Sequence, residues 1–422
     1  MSALALGVDI GSHGARAIVL DDAGVVAAAT ADFGPPRPPA RRPAADWWDA
    51  FRRAVVRIAA EVRQQIDAVA ITGVRGAVVG VDAGGQAITP GYPDFDAAAI
   101  APARMLLERY GDEYLARTAC FAFPLAGLPK MLLHAGDGRV CAWLGPQDFV
   151  RARLTGVTTV STATAFRFGI LQADGTAVDE VLLREVGLDH NAMPPVAAVA
   201  TVAGFVDDAA ARDLELRSGV PVLAAPGDVP SALYAVAGCA TGRAFVNLGT
   251  TIVATTVVPQ PVPGMSCDVL PSGMRALETG RGAGVVTLEW CAALLGTTPA
   301  QLEHLANSAR SASTPRLDPD LVDAWGEGTG GAMYAITPET GPAEFAAATL
   351  DGVARAAENS VEELTHGGGG LADIVVGGGA SQCAPIVRRL RDARRETVSI
   401  AAGRELAAEG AARVAREAVR TA

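Results

Sequence analysis

The 422-residue chain has no C-x-x-C pair, no excess of positive charge and no apolar run of membrane-spanning length with suitable flanks. Each absence excludes a class of protein. The six cysteines, Cys120, Cys141, Cys239, Cys267, Cys291 and Cys383, are spaced for neither a disulfide framework nor a zinc site, so buried reduced thiols are expected. A net charge of −11 gives no global pull on nucleic acid or an anionic membrane, although it is compatible with a local basic site for phosphate. Met1 leads straight into a strand-like segment with no charged n-region or cleavage signal, so a soluble cytoplasmic protein is expected. Hydrophobic residues make up 50% and charged ones only 19%, a composition that buries well and does not read as disordered. The length exceeds one ordinary core, so two domains are expected.

Local pattern then divides the chain. Leu4 to Asp9 and Ala17 to Leu20 are apolar runs around a turn, Gly11-Ser12-His13-Gly14, and Val25 to Thr30 offers a third strand. Gly34 to Pro43 holds five prolines and three arginines and reads as a loop. Trp47, Phe51, Val55 and Ile58 recur at helical spacing, which predicts a helix from Asp46 to about Gln65. Val69 to Thr72 and Val78 to Asp82 read as strands, residues 100–155 as mainly helical, 157–175 as strands and turns, and Val178 to Val186 as a short helix. Val220 to Ala225 is a strand running into Pro226-Gly227-Asp228-Val229-Pro230 and a helix of small residues up to Gly238. The opening pattern then restarts: strand Arg243 to Leu248, turn Gly249-Thr250-Thr251, strand Ile252 to Val258. This repeat places a boundary near residue 240, giving domains 1–240 and 241–422. Helices at about 284–296, 299–311 and 342–365, a glycine tract at 367–370, the strand Asp373 to Val376, and helices Ala384 to Arg395 and Arg404 to Val419 complete the reading.

Three features carry chemistry. A turn of Gly with Ser or Thr lets backbone N–H groups and hydroxyls reach phosphate oxygens without obstruction; two such turns, each opening a domain, would offer one grip from each. Asp9 ends the first strand, where it could hold Mg²⁺ through water or simply start a turn. Arg16 could face phosphates or cap a strand edge. Asp228 follows a buried strand and a Gly: it could accept a hydroxyl proton in phosphoryl transfer, or serve as a helix N-cap ahead of Pro230, and one residue can do both. Val375-Val376-Gly377-Gly378-Gly379-Ala380 could be a nucleotide-binding turn or a flexible one.

With these residues in view, the chain resembles the FGGY carbohydrate kinase family of the actin-like ATPase superfamily over nearly its whole length. Leu6 to Ser12 resembles the first phosphate motif and Phe245 to Thr251 the second. Ala70-Ile71-Thr72-Gly73 is similar to the strand carrying the first sugar-contact loop, and Pro90 to Asp96 to the segment whose sugar-binding Asp falls on Asp96. Asp148 to Gly156 resembles the D-Y-L-x-x-x-L-T-G helix end, Pro226-Gly227-Asp228 the G-G-D segment with the catalytic base, Gly377 to Ala380 the adenosine motif, and Gly410-Ala411-Ala412 the last helix. Departures cluster around the sugar: Asp94 and Ala98 stand where Trp and Arg usually flank the Asp, Val229 follows the base, and no G-E-R-x-P segment is recognisable between Trp325 and Pro342. Arg75 and Gly76 replace the Met-His of several members, and Arg75 matches the polyol-contacting Arg of the glycerol kinase pattern.

The resemblance implies an α/β fold of two actin-like (ribonuclease H-like) domains with an ATP cleft between them. It implies ATP-dependent phosphorylation of a small sugar or polyol hydroxyl, with Asp228 as catalytic base. Gly11, Ser12, Arg16, Gly249, Thr250, Thr251, Gly378, Gly379 and Ala380 would bind ATP and its phosphates. Arg75, Asp96 and Asp228 would bind substrate, and Asp9 would hold Mg²⁺ through water. Neither nucleic acid nor membrane is an expected partner, and a homodimer is compatible with the reading. The departures leave open a sugar- or nucleotide-binding regulator that has lost transfer, and the fold leaves open an actin-like structural protein.

Overall fold

The computed structural model describes residues 3–34, 41–310, 315–321, 325, 331–368, 370–403 and 405–421. Residues 35–40 of the proline-rich loop, 326–330 of the stretch without the G-E-R-x-P segment, Gly369 of the glycine tract and Arg404 lie outside the described residues. The chain packs as two compact units. The first comprises Met1–Cys239, Pro259–Ala276 and Glu405–Ala422, the second Ala240–Val258 and Leu277–Arg404.

The first unit is built on a six-stranded sheet of β1 (Leu4–Ile10), β2 (Gly14–Leu20), β3 (Val25–Asp32), β4 (Ile66–Gly73), β5 (Val202–Phe205) and β6 (Pro221–Ala224) in the order β3-β2-β1-β4-β6-β5. β1 and β2 form an antiparallel hairpin, while β1, β4 and β6 run parallel. A strand covered on both faces needs no polar alternation. β1 accordingly reads LALGVDI and is buried from Ala5 onward, whereas β3, at the sheet edge, alternates between covered and exposed positions. Trp47, Phe51, Val55 and Ile58 all enter the apolar cluster under this sheet. The helix that carries them is shorter than the spacing predicts. It spans Ala45–Val56 and a separate turn spans Ala60–Arg63, with Ile58 in the break.

A second apolar cluster, from Val78 to Ala192, holds Tyr92, Tyr114, Trp143, Phe166 and Phe168. Here residues 162–168 correct the strand-and-turn reading. They form a helix, because Ser161 caps it by accepting the Thr164 N–H and Gly169 ends it in the left-handed region. The Asp148 motif is structural: its carboxylate accepts from Gly145 N at 3.2 Å, Ser161 N at 3.0 Å and Arg151 Nη2 at 2.7 Å.

The C-terminal helix Leu406–Thr421 packs on β1 and on the helix Asp228–Ala237. Contact there is backbone to backbone. A Cβ on Gly7 would overlap Ala408 O and Ala412 N, and one on Gly410 would overlap Ser231 O.

The second unit repeats the opening topology. β7 (Arg243–Leu248) and β8 (Ile252–Val258) form an antiparallel hairpin, and β10 (Asp373–Gly377) runs parallel to β7, with β9 (Arg275–Arg281) and β11 (Thr397–Ile400) extending the order β9-β8-β7-β10-β11. The long helix Pro342–Gly368 packs on this sheet, with Val353, Ala357, Val361 and Leu364 among its buried residues. None of the six cysteines is paired; Cys120, Cys267 and Cys291 are buried as expected, whereas Cys239 and Cys383 are half-buried and Cys141, which follows an exposed turn at Asp137 to Arg139, is exposed. Among the described residues no helix is long and apolar enough to cross a membrane.

Candidate active site

In the first unit the carboxyl ends of parallel strands gather the polar groups, as open α/β sheets tend to do. Asp9, at the end of β1, lies opposite Arg16 on β2 and Thr72 on β4. The Thr72 hydroxyl donates to Pro226 O at 2.7 Å, and the Ser231 hydroxyl donates to the same carbonyl at 3.1 Å. These bonds tie the end of β4 to the loop after β6, which brings Arg75 against Asp228. Arg75 Nε donates to Asp228 Oδ1 at 2.9 Å, and its Nη1 donates to buried Asp268 at 3.0 Å. Asp228 is the first residue of its helix; the N-cap is Gly227, with extended backbone. The capping reading of Asp228 is therefore corrected: its Oδ1 accepts from Val229 N–H at 2.9 Å but closes no N-cap bond.

Arg16 Nε sits 2.8 Å from Glu405 and its Nη1 3.7 Å from Asp9. Asp9 is 6% exposed, and its Oδ1 has no hydrogen-bond partner. Burial, followed by the charge of Asp228, pushes the Asp9 carboxyl up to about 7, against the pull of Arg16 and with a further push from Glu405. This has a measurable consequence. Between pH 3.8, the ordinary value, and about 7, the folded protein holds a proton that the unfolded chain has released. The contribution to stability is complete below the lower value and is lost as pH rises through the upper one. Asp9→Asn is expected to remove this loss, making the ligand-free protein more stable at pH 8 by up to about 4 kcal/mol. Urea unfolding of parent and variant at pH 5 and pH 8 reads it, and an identical pH slope in both would count against the buried, proton-binding role of Asp9.

Beside this group lies a cavity of about 560 Å³ lined by the hairpin tip Gly11 to His13, by Val74 and Ala77, and by Trp47, Tyr92 and Asp94 among others. Lys130, fully buried, holds its wall: the ammonium donates to Gly76 O at 2.9 Å, to Ala126 O at 3.0 Å and to Asp94 O. Asp96 is placed differently. Both its oxygens accept from Arg41, at 2.6 and 2.9 Å, and one also caps the turn at Ala98. The Arg41 hydrogen bond holds the Asp96 carboxyl below its ordinary value. Asp94, two residues earlier, faces the cavity instead. Asp94, Arg41, Lys130 and Asp268 stand in no motif that marks them for the site in the sequence.

In the second unit, the hairpin tip Gly249-Thr250-Thr251 rests on the start of the helix Val285–Leu294, whose Val285 and Val286 N–H groups donate to Gly249 O at 2.9 Å and Thr250 O at 3.2 Å. Gly378 and Gly379 are exposed and Ala380 is buried. Gly378 has φ +87°, and a Cβ there would stand 2.7 Å from the Leu248 carbonyl carbon, so only glycine suits this turn. Asn247, paired in register with Gly377, lies beside both Gly249 and Gly378 and so joins the hairpin to the glycine turn. Among the described residues no group of three or more His, Cys, Asp or Glu side chains could cage a metal.

Two α/β units, each opening on a glycine hairpin beside a parallel strand, define a protein with two actin-like domains. The model of the FGGY family of carbohydrate kinases, N-terminal domain, matches residues 4–235, so the chain belongs to that family, whose members are phosphotransferases with an alcohol group as acceptor. It is similar to a xylulose kinase of Escherichia coli strain K12, 25% identical over 399 residues, covering 89% of this chain and 82% of the relative. A xylulose kinase of Streptomyces coelicolor is 28% identical over 267 residues, which is 60% of this chain and 54% of that relative. Among solved structures, a ligand-bound xylulose kinase from Lactobacillus acidophilus superposes with a TM-score of 0.88 at 17% identity, covering 100% of this chain and 90% of the other.

Proposed function

We propose that the chain transfers a phosphoryl group from ATP to a hydroxyl of a small sugar or polyol, with Asp228 as the general base. The observation that carries the reading is the placement of Asp228. Its Oδ1 is held by Arg75 and by the Val229 N–H, and its position at a helix start beside Asp9 leaves the carboxylate 29% exposed. A positioned carboxylate of this kind accepts the acceptor's proton as the new O–P bond forms and ADP leaves. Bound Mg-ATP supplies the transferable phosphoryl group and part of the charge neutralisation.

The residues present fit a hydrated divalent cation. Asp9 Oδ1 is buried without a partner, and Mg²⁺ commonly keeps several waters and binds through one or two carboxylates plus phosphate oxygens. Asp9 is the proposed metal contact, through water. Gly11, Ser12 and Arg16 are proposed to hold phosphate oxygens from the first unit, and Gly249, Thr250 and Thr251 from the second, while Gly378, Gly379 and Ala380 flank the adenosine. The 560 Å³ cavity is the proposed acceptor site; its volume suits a small sugar or polyol. Arg75 orients the base, Asp94 is offered to the acceptor's hydroxyls, and Asp96 supports the wall through Arg41.

An ADP-release screen with Mg-ATP over D-xylulose, other ketoses, aldoses, polyols and glycerol tests the reading. Turnover is expected with one class, and it should vanish when Mg²⁺ is chelated. ATP binding with no turnover of any acceptor would sink it.

A further inference from the structure

Arg75 divides its donors between two carboxylates from distant parts of the chain, reaching Asp228 across 153 residues and Asp268 across 193. The burial of the two is unequal. The Asp268 side chain is 0% exposed, that of Arg75 7% and that of Asp228 29%. Asp268 is also fixed from its own strand, Ser266–Val269, since its Oδ1 accepts from the Val269 N–H at 2.7 Å. A fully buried carboxylate needs a cation, and an almost fully buried guanidinium needs an anion, so these two hold each other.

A guanidinium facing a carboxylate ordinarily engages it through two parallel N–H···O bonds. Against Asp228 it does not. Nε alone donates, and the Val229 N–H is spent on the same Oδ1, so among the described residues nothing donates to Oδ2. The arm that would complete a fork with Nε is Nη2, and it makes no bond to Asp228; its neighbour Nη1 is anchored on Asp268, which fixes the plane of the guanidinium.

We infer that Asp268 is a positioning residue for phosphoryl transfer: by holding Arg75 side-on, it keeps one oxygen of Asp228 open to the acceptor hydroxyl. The inference rests on the reading of Asp228 as the base. Without Asp268, the guanidinium is free to swing onto both oxygens of Asp228 and occupy the atom that takes the proton.

Asp268→Asn is expected to show Arg75 gripping both oxygens of Asp228 in a crystal structure. Its kcat, measured with the best acceptor of the screen, should fall about tenfold, as small misplacements in a site do, while Mg-ATP affinity stays at the parental value. In an Arg75→Met background, the same change should lower kcat no further, because residues acting through one another are not additive. An unmoved Arg75 in the D268N structure, or losses that multiply in the double variant, overturns the inference. Should D268N fail to fold, Asp268→Glu keeps the charge and shifts the carboxylate by one methylene. A displaced Arg75 with lower kcat supports the role there, and parental kcat overturns it. Asp228→Asn separates the two claims. Full turnover in D228N removes the base itself, whereas a dead D228N alongside a fully active D268N removes only the positioning role.

Discussion

Asp228→Asn is expected to lower kcat by about 10²–10⁴-fold, the range that a lost general base commands. The substitution is nearly isosteric. An amide oxygen can still accept from Arg75 Nε and the Val229 N–H, the two bonds that Oδ1 makes, so the helix start should hold its place. What disappears is a group able to take a proton. Nucleotide binding should survive and even tighten. The charge of Asp228 helps push the Asp9 carboxyl up to about 7, so removing that charge favours the ionised Asp9 that a cation needs. Steady-state kinetics with the screened acceptor, beside a calorimetric titration with Mg-ATP, read both halves. Parental turnover, or loss of nucleotide affinity in step with kcat, would remove Asp228 from the base role.

Gly410→Ala should damage the fold and the site together. The C-terminal helix lies so close to the helix Asp228–Ala237 that a Cβ on Gly410 would stand 2.6 Å from the Ser231 carbonyl carbon and overlap its oxygen. Nothing flexible stands in the way to yield; the neighbour is backbone, and that backbone belongs to the helix whose first residue is Asp228. Overpacking typically costs about 1–3 kcal/mol, and a clash against main chain belongs at the upper end, about 3 kcal/mol or more. Relief by moving the helix shifts Asp228 relative to Arg75, so kcat should fall in whatever fraction still folds. Denaturant midpoints and kcat decide it. A variant within about 0.5 kcal/mol of the parent, as an ordinary surface change would be, would mean that the close seam is absent.

How far the sequence reveals this architecture depends on the range of the interactions. The repeated hairpins were legible because each is local: an apolar run, a glycine turn and a second run fall within about fifteen residues. The strand β4 and the loop bearing Asp228 were legible for the same reason, since a continuous apolar run ending in Thr72-Gly73, or in Pro226-Gly227, announces a buried parallel strand. The helix at 162–168 could have been found locally, from Ser161 and Gly169 bracketing it, but its threonines and phenylalanines favour strands and masked the caps. Asp94, Lys130 and Asp268 were another matter. Lys130 acquires its role only where carbonyls from residues 76, 94 and 126 converge, and Asp268 only where Arg75 arrives from 193 residues away. No spacing rule reaches that far. Asp96 shows the converse, because a carboxylate in a motif-like segment can be spent on a neighbouring arginine, here Arg41, that no linear pattern ties to it.

The helix Leu406–Thr421 belongs to the first unit yet follows the whole of the second in the chain. On the ribosome this ordering becomes a delay. Strand β1 emerges before either unit is complete, and the helix that covers it is made only about 400 residues later, on the order of tens of seconds at ordinary elongation rates. During that interval the second unit can complete itself while the first waits with Gly7 and the helix bearing Asp228 uncovered. Assembly of the first unit is thereby tied to translation reaching this helix, so a nascent chain that stalls after the second unit carries β1, with Asp9, and the helix that begins at Asp228 without the element that packs on both.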